Sequence, residues 1–123
     1  MMIGSNDELA AALVVEIEVA EVARSVEFYR RLGFAVVRVE VDFASLRWRD
    51  EWLFVAAGPG AAGNGASGTN LRVLVDDVDA CWRVAQELAA LVVRPIGDRS
   101  YGLRDFTIRD PDGFALRFAA RLR

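Results

Sequence analysis

Four charged side chains of this sequence stand at alternating positions of apolar segments, where their types could support binding or catalysis. Glu16 and Glu18 alternate with apolar residues in the segment 14–19, and Arg72 and Arg117 each lie between apolar neighbours. Alternation of this kind predicts β-strands whose successive side chains point to opposite faces. Arginine pairs bidentately with carboxylate or phosphate, and a glutamate in a dry pocket can accept a proton from a substrate. The four residues therefore predict either recognition of an ionic small molecule or acid–base catalysis.

Three aromatic residues are further candidates for ligand contact. Trp48 and Trp52 flank a predicted turn at 49–51, and Tyr101 lies in a predicted loop over 97–103. Such rings stack on flat or cationic ligands. The alternative, which we favour for the two tryptophans, is that they cover a sheet edge or a dimer interface.

The composition excludes several classes of chemistry and of partner. The chain has no histidine, and arginine supplies all 15 of its basic residues. Without histidine, neither a Ser-His-Asp nor a Cys-His arrangement exists, so Cys81 is expected to be a buried structural thiol. The net charge of −3 gives no general attraction for nucleic acid or for anionic membranes.

The expected location is the cytoplasm. A single cysteine cannot form an intrachain disulfide, and the first residues include Asp7 and Glu8 rather than a basic leader segment. No apolar run approaches the roughly 20 residues that cross a bilayer. We therefore expect a cytoplasmic protein whose partners include neither nucleic acid nor membrane.

The elements that must position these side chains are predicted in two similar halves. Residues 1–12 are interpreted as a tail and the glycine-rich segment 58–69 as a flexible linker. Apolar periodicity predicts the order β-α-β-β-β over 13–57 and again over 70–120, and a shift of 56 residues superimposes much of one half on the other. A duplicated pair of modules with an α+β fold is therefore expected. The predicted strands are 14–19, 34–42, 44–49, 52–57, 70–76, 92–96, 103–109 and 114–119, and the predicted helices are 22–32 and 78–91.

Two motifs give the sequence a family resemblance. The first is V-A-E-V-A-R-S-V-E-F-Y-R-R-L-G-F over 19–34, and the second is F-T-I-R-D-P-D-G-F-A-L-R-F over 106–118. They resemble the opening and closing signatures of the glyoxalase/bleomycin-resistance/dioxygenase family, the vicinal oxygen chelate superfamily. The resemblance implies two tandem βαβββ modules that form a curved mixed sheet around a cleft, usually in a homodimer.

The resemblance also indicates where the metalloenzymes of this family place their metal ligands. In this sequence three of those positions fall on Val14, Asn70 and Arg117, and the fourth falls near Phe54 or Val55. Valine and phenylalanine offer no donor atom, and arginine repels a cation. We therefore predict no bound metal and no cofactor.

Strand alternation relative to those ligand positions predicts which side chains line the cleft. The predicted ligand-binding residues are Glu16, Glu18, Asn70, Arg72 and Arg117, with Trp48, Trp52 and Tyr101 as the aromatic candidates. They would bind the ionic or hydrogen-bonding groups of a small ligand, or the glutamates would pair with Arg72 and Arg117 and partly close the cleft. The two interpretations are compatible.

Three hypotheses about function follow from this predicted cleft. The favoured one is metal-free binding of a small organic ligand, of the sequestration or resistance type. A second is a metal-independent isomerase or lyase in which Glu16 or Glu18 is the base and Arg72 or Arg117 stabilises the developing charge. A third is a degenerate module that acts through protein–protein contact.

Overall fold

The fold is α+β and consists of two similar units. The computed structural model describes residues 14–58 and 70–123. The chain divides into the compact units Met1–Pro59 and Gly60–Arg123, and within the described residues each contains one helix and one four-stranded sheet. The predicted tail (1–12) and all but the first residue of the predicted linker (58–69) lie outside the described residues.

The first unit has the element order that the periodicity predicts. Its elements are β1 (Val15–Val19), α1 (Val22–Arg31), β2 (Ala35–Val39), β3 (Phe43–Trp48) and β4 (Glu51–Ala57). The strands lie in the order β1-β4-β3-β2. Strand β1 is parallel to β4, and β3 is antiparallel to both of its neighbours.

The second unit repeats this arrangement. Its elements are β5 (Asn70–Leu74), α2 (Val78–Glu87), β6 (Leu91–Asp98), β7 (Leu103–Arg109) and β8 (Ala115–Arg121). The strand order is β5-β8-β7-β6, with β5 parallel to β8 and β7 antiparallel to both of its neighbours. The prediction of two tandem βαβββ modules is confirmed.

Each sheet has one face that packs on its own helix and one that does not. Residues that oppose each other on neighbouring strands share a face, so the strand register assigns every side chain. In the second unit, Trp82 of α2 packs on Phe106 with ring centroids 5.1 Å apart, and Phe106 is the register partner of Phe118. The apolar core therefore lies between helix and sheet. We call the opposite face of each sheet the helix-free face.

The core residues of both units follow from this division. In the first unit the core residues lie on the sheet face that packs on α1, and on β1 they alternate with the polar residues. In the second unit the core residues lie on the face that packs on α2. The buried members include Ile17, Val19, Val22, Tyr29, Leu46, Leu53 and Val55 in the first unit and Val73, Val78, Ala85, Phe106, Ile108, Leu116 and Phe118 in the second.

The end of α1 brings Gly33 against Trp48. Gly33 has a φ of 111°, the left-handed conformation that favours glycine after a helix. A Cβ atom added there would lie 3.1 Å from Cζ3 of Trp48. The prediction that the helix ends at this glycine is confirmed, and the indole ring closes over the end of the helix.

Replacing Gly33 with alanine is expected to lower the free energy of unfolding by about 1–3 kcal/mol, because a side chain is strained at this φ. Gly102 is the matched control, since its φ is 87° but a Cβ added there meets nothing within 4 Å. Urea denaturation should show a larger loss for Gly33→Ala than for Gly102→Ala. Equal losses would mean that the Trp48 contact contributes nothing.

The closing turn of the second unit is also confirmed. Gly113 has a φ of 91°, and Asp110 Oδ1 accepts hydrogen bonds from the backbone N–H groups of Asp112 at 2.9 Å and Phe114 at 2.8 Å. This turn joins β7 to β8 and fixes the register between them.

Two sequence predictions need correction. The strand predicted over 34–42 ends at Val39, and its valines are not buried: Val37 is 48% exposed and Val41 is 98% exposed. The physical reason is that β2 is an edge strand with an irregular register between Val36 and Arg38, so part of its alternating pattern falls outside the packed face.

The second correction concerns the helix predicted over 78–91. Helix α2 ends at Glu87, and Ala89 has a φ of 54°, which cannot continue a right-handed helix. Strand β6 then runs from Leu91 to Asp98, whereas the predicted strand covers 92–96, so the strand extends into the loop predicted over 97–103. Apolar residues at both helical and strand spacing in this region made the boundary ambiguous from sequence.

Candidate ligand-binding site

The helix-free face of the first unit has one row of residues that crosses all four strands. Glu16 of β1 opposes Phe54 of β4, Phe54 opposes Ser45 of β3, and Ser45 opposes Arg38 of β2. Glu18, the register partner of Ala56, lies on the same face. Both predicted glutamates are exposed, and the structure places them side by side along β1.

Aromatic rings lie next to this row. Trp52 and Phe54 have ring centroids 6.2 Å apart, and Phe43 and Phe54 have centroids 5.2 Å apart. The guanidinium of Arg47 lies 4.9 Å from the Trp52 ring centroid, a cation–π distance. Trp52 is therefore on the same face as the glutamates.

A buried hydroxyl lies in the middle of the row. Ser45 Oγ is inaccessible to solvent and has no hydrogen-bond partner among the residues that the structure describes. A buried polar atom that has no partner is costly, by about 1–3 kcal/mol, and calls for a physical explanation.

Trp48 is separated from the other predicted residues of this unit. It follows Leu46 by two positions, and it contacts Phe34 with ring centroids 5.2 Å apart. Together with its contact to Gly33, this places the indole on the helix face of the sheet. The two tryptophans that flank the predicted turn thus point to opposite faces, and we leave Trp48 out of the candidate site.

The second unit has the corresponding row on its helix-free face. Arg72 of β5 opposes Arg117 of β8, Arg117 opposes Thr107 of β7, and Thr107 opposes Arg94 of β6. We call these four residues the arginine row. Asn70, which the sequence also predicts to bind ligand, lies on the same face of β5 and opposes Ala115 of β8.

The hydrogen bonds within the arginine row use neutral acceptors. Arg117 Nε donates to Thr107 Oγ1 at 3.3 Å, and Arg94 Nη1 approaches the Tyr101 hydroxyl at 3.5 Å. Among the described residues of this unit, no carboxylate lies within salt-bridge distance of Arg72, Arg94 or Arg117. The structure therefore links Tyr101 to the row, through Arg94.

A buried carboxylate holds the loop that carries Tyr101. Asp105 is the only acidic residue of β7, and it accepts a hydrogen bond from Arg99 Nε at 2.7 Å and from the Tyr101 hydroxyl at 2.6 Å. Arg99 also donates to the backbone carbonyl oxygen of Pro95. Both oxygens of Asp105 are thus engaged, and the loop between β6 and β7 is tied to the helix-free face.

The ionisation of Asp105 follows from these contacts. Burial raises the pKa of Asp105, but the hydrogen bonds from Tyr101 and Arg99 and the positive charges of Arg99 and Arg117 outweigh burial, so its net pKa lies below the ordinary 3.8. Asp105 is therefore a carboxylate at neutral pH, and it neutralises Arg99.

Cys81 shows no sign of an activated nucleophile. Its side chain is half-buried on α2, and burial, with a smaller contribution from the charge of Asp77, raises the pKa of the thiol above its ordinary value. A thiol with a raised pKa is neutral at pH 7 and a poor nucleophile.

The residues at the predicted metal-ligand positions do not fit a divalent cation. The register places Phe54 on the helix-free face and Val55 in the core, so Phe54 is the residue that corresponds to Arg117. The four positions then hold Val14, Phe54, Asn70 and Arg117, which together offer a single amide oxygen and a repelling positive charge. Among the described residues, no group of three or more histidine, cysteine, aspartate or glutamate side chains could hold a metal ion.

Several residues of these faces were missed by sequence reasoning. Thr107 and Asp105 alternate with the core residues Phe106 and Ile108, in a strand predicted with its correct bounds, so their face was available from the pattern. The sequence pattern could not assign the face on which Arg94 lies, because β6 has register irregularities on both sides of this residue.

The helices give no indication of a membrane span. Within residues 14–58 and 70–123, neither α1 nor α2 has the length and apolar character that crossing a bilayer requires.

Comparisons with solved structures agree with the fold. A bleomycin resistance determinant encoded on the transposon Tn5 superposes with a TM-score of 0.69 at 22% identity, covering 91% of this chain and 98% of that chain. A bleomycin-binding protein in complex with bleomycin gives 0.68 at 22% identity, covering 91% and 99%. The fosfomycin resistance protein FosX from Listeria monocytogenes gives 0.75 at 12% identity, covering 90% and 93%. At these identities the likeness shows the fold alone.

Sequence comparison gives the family. No curated protein matches the chain. The family model described as Glyoxalase/Bleomycin resistance protein/Dioxygenase superfamily matches residues 12–118, which include both motifs and the described strands and helices up to most of β8. The chain therefore belongs to the glyoxalase/bleomycin resistance protein/dioxygenase superfamily.

Proposed function

We propose that this protein binds a small organic molecule at the helix-free face of its second unit and acts by sequestration, as a resistance protein does. The observation that carries the proposal is the pair Arg72 and Arg117, which stand side by side without a carboxylate partner among the described residues of their own unit. Like charges that oppose each other destabilise a sheet, so such a pair is expected where a ligand compensates the charge.

The proposed binding groups are those that the register brings to the helix-free faces, together with Tyr101 of the β6–β7 loop, which Arg94 contacts. They are Glu16, Glu18 and Trp52 in the first unit and Asn70, Arg72, Arg117 and Tyr101 in the second. The proposal is supported by the family, since one member with this fold is a bleomycin-binding protein and another is a fosfomycin resistance protein. We propose in addition that binding needs no protein-held metal, since the four ligand positions lack a suitable donor set, and that the protein is a cytoplasmic homodimer.

A thermal-shift panel tests the binding proposal. We expect at least one compound among bleomycin, fosfomycin, planar cationic antibiotics, α-keto acids and acyl-CoAs to raise the melting temperature. The stabilisation is about 2.7 kcal/mol at a ligand concentration 100 times the Kd. Arg117→Ala should abolish the shift, whereas Arg83→Ala should not, because Arg83 is exposed on α2 and away from the helix-free face. Loss of the shift in Glu16→Ala instead would assign binding to the first unit.

The same panel separates the parts of the proposal. A shift that survives in both Arg117→Ala and Glu16→Ala would move the site elsewhere. Binding that disappears after EDTA treatment and returns with one equivalent of a divalent metal would contradict the metal-free part. Light scattering of the purified chain tests the homodimer, and a monomer at micromolar concentration would contradict it.

A further inference from the structure

The arginine row concentrates positive charge along one line of the second unit. Neighbouring strands lie about 4.8 Å apart, so Arg72 and Arg117 are adjacent, and Arg94 lies about 10 Å beyond Arg117 at the level of the backbone. Thr107 fills the one position of the row that is not an arginine. Three guanidinium groups and one hydroxyl therefore face the same side of the sheet in register.

Two other arginines of this unit, Arg99 and Arg104, do have carboxylate partners. Arg99 pairs with Asp105 at 2.7 Å, and Arg104 pairs with Asp79 at 2.9 Å and with Asp98 at 3.0 Å. Arginines with acidic partners therefore occur on both faces of this sheet: Arg99 at the helix-free face and Arg104 at the face toward α2. Among the described residues of this unit, Arg117 and Arg94 hydrogen-bond to the neutral oxygens of Thr107 and Tyr101, and the charge of Asp105 acts on Arg117 without a direct ion pair.

Asp105 lies close to the row but does not neutralise it. Its Oδ1 atom accepts from Arg99 and its Oδ2 atom accepts from Tyr101, so both oxygens are occupied. Because the Tyr101 hydrogen is donated to Asp105, the Tyr101 oxygen is left to face Arg94 as an acceptor. Asp105 therefore orients one end of the row through Tyr101. Its charge also acts on Arg117, but a single carboxylate that is already paired with Arg99 leaves the row with a net positive charge.

We infer that the arginine row binds the oxyanion group of an acidic ligand, a carboxylate or a phospho-group, between Arg72 and Arg117. This inference rests on the proposed function and names the class of ligand. Guanidinium groups present paired N–H donors with the spacing of carboxylate and phosphate oxygens. Two of them in register on neighbouring strands clamp one oxyanion, while Thr107 and Arg94 provide donors for polar groups farther along the ligand.

The test uses simple anions as probes on the full chain. Inorganic phosphate and succinate are titrated separately by calorimetry or by two-dimensional NMR, at ionic strength matched with sodium chloride. We expect saturable binding of at least one of them, and the tighter probe identifies the phospho-group or the carboxylate as the source. Arg72→Gln and Arg117→Gln should each weaken that binding about tenfold or more, since each removes a charge-assisted hydrogen bond.

Two controls make the outcome decisive. Arg83→Gln makes the same change in charge on exposed α2 and should leave the Kd within about twofold. Arg72 is exposed, so Arg72→Gln tests the row even if a change at the half-buried Arg117 disturbs folding. Arg117→Lys keeps the charge but removes the fork, and it should bind more weakly than the wild type.

The outcomes separate this inference from the proposed function. Absence of saturable binding for both probes, or equal weakening by Arg83→Gln and Arg72→Gln, would overturn the oxyanion site. If a neutral or cationic compound of the panel binds the wild type and neither phosphate nor succinate does, the oxyanion site is overturned while the proposed function stands. If phosphate or succinate binds through Arg72 and Arg117 but no compound of the panel binds, the oxyanion site is supported. The proposal that the protein sequesters the panel compounds is then contradicted.

Discussion

Replacing Asp105 with asparagine is expected to lower the free energy of unfolding by about 3 kcal/mol or more, the loss typical when one partner of a buried ion pair is removed. The side chain of Asp105 is 1% exposed and that of Arg99 is 14% exposed. Asparagine has nearly the same volume, so the loss is electrostatic: the Arg99 guanidinium stays in place without its counter-charge. Urea denaturation of the two proteins measures the difference.

The control for this prediction is the ion pair on the other face of the same sheet. Asp79 and Arg104 are much more exposed, with side chains 51% and 34% accessible, so water screens their attraction. Asp79→Asn should therefore cost much less than Asp105→Asn. Equal losses would contradict the view that Asp105 and Arg99 form a buried, structurally important pair.

The pH dependence of stability gives a second measurement on Asp105. The pKa of Asp105 is lower in the folded protein than its ordinary value of 3.8, so the unfolded chain binds the proton more readily. The stabilising contribution is complete well above pH 3.8, and it is lost as the pH falls from that value through the lower folded pKa. The difference in stability between the wild type and Asp105→Asn should shrink over the same acid range.

Replacing Phe106 with alanine is expected to cost about 3–5 kcal/mol, the range for truncating a fully buried phenylalanine. Its ring stacks on Phe118 with centroids 5.4 Å apart and touches Trp82 of α2, and the residue has no exposed surface. The cavity would lie between helix and sheet. Urea denaturation followed by tryptophan fluorescence measures the loss.

Leu91→Ala is the matched control for Phe106→Ala. Leu91 is 65% exposed on β6, so its truncation should change the free energy of unfolding by less than about 1 kcal/mol. A Phe106→Ala loss as small as that of Leu91→Ala would contradict the core between α2 and its sheet. Asp105 and Phe106 are neighbours in the chain on opposite faces, and only the Asp105 variant should alter the acid dependence of stability.

The two rows show how one duplicated framework carries different chemistry. Glu16 and Arg72 correspond in the 56-residue repeat and stand at the start of their rows. Phe54 and Arg117 correspond by strand register, since each opposes the first residue of its row. Serine and threonine, at Ser45 and Thr107, occupy the third strand of each row, and the fourth strand has an arginine in both. The first unit therefore carries aromatic and acidic groups where the second carries cations.

The sequence by itself determined the α+β class, the two βαβββ modules and the family. These features rest on local chemistry: a period of two in strands such as β7, a glycine with positive φ at Gly33, and the Asp110–Gly113 turn. Each depends on residues close together in the chain, so its physical cause is present in the local pattern. The same pattern assigned Glu16, Glu18, Asn70, Arg72 and Arg117 to one face of their strands.

Only the tertiary structure decided which side chains stand together. Strand register joins residues far apart in sequence, so the row from Arg72 through Arg117 and Thr107 to Arg94 depends on pairing and on the irregularities around Arg94. It also separated Trp48, packed over the end of α1, from Trp52 on the helix-free face, and it left the valines of edge strand β2 exposed. The physical reason is that alternation fixes only the relative face of residues within one regular strand, whereas cross-strand hydrogen bonding and helix packing decide the neighbours and the burial.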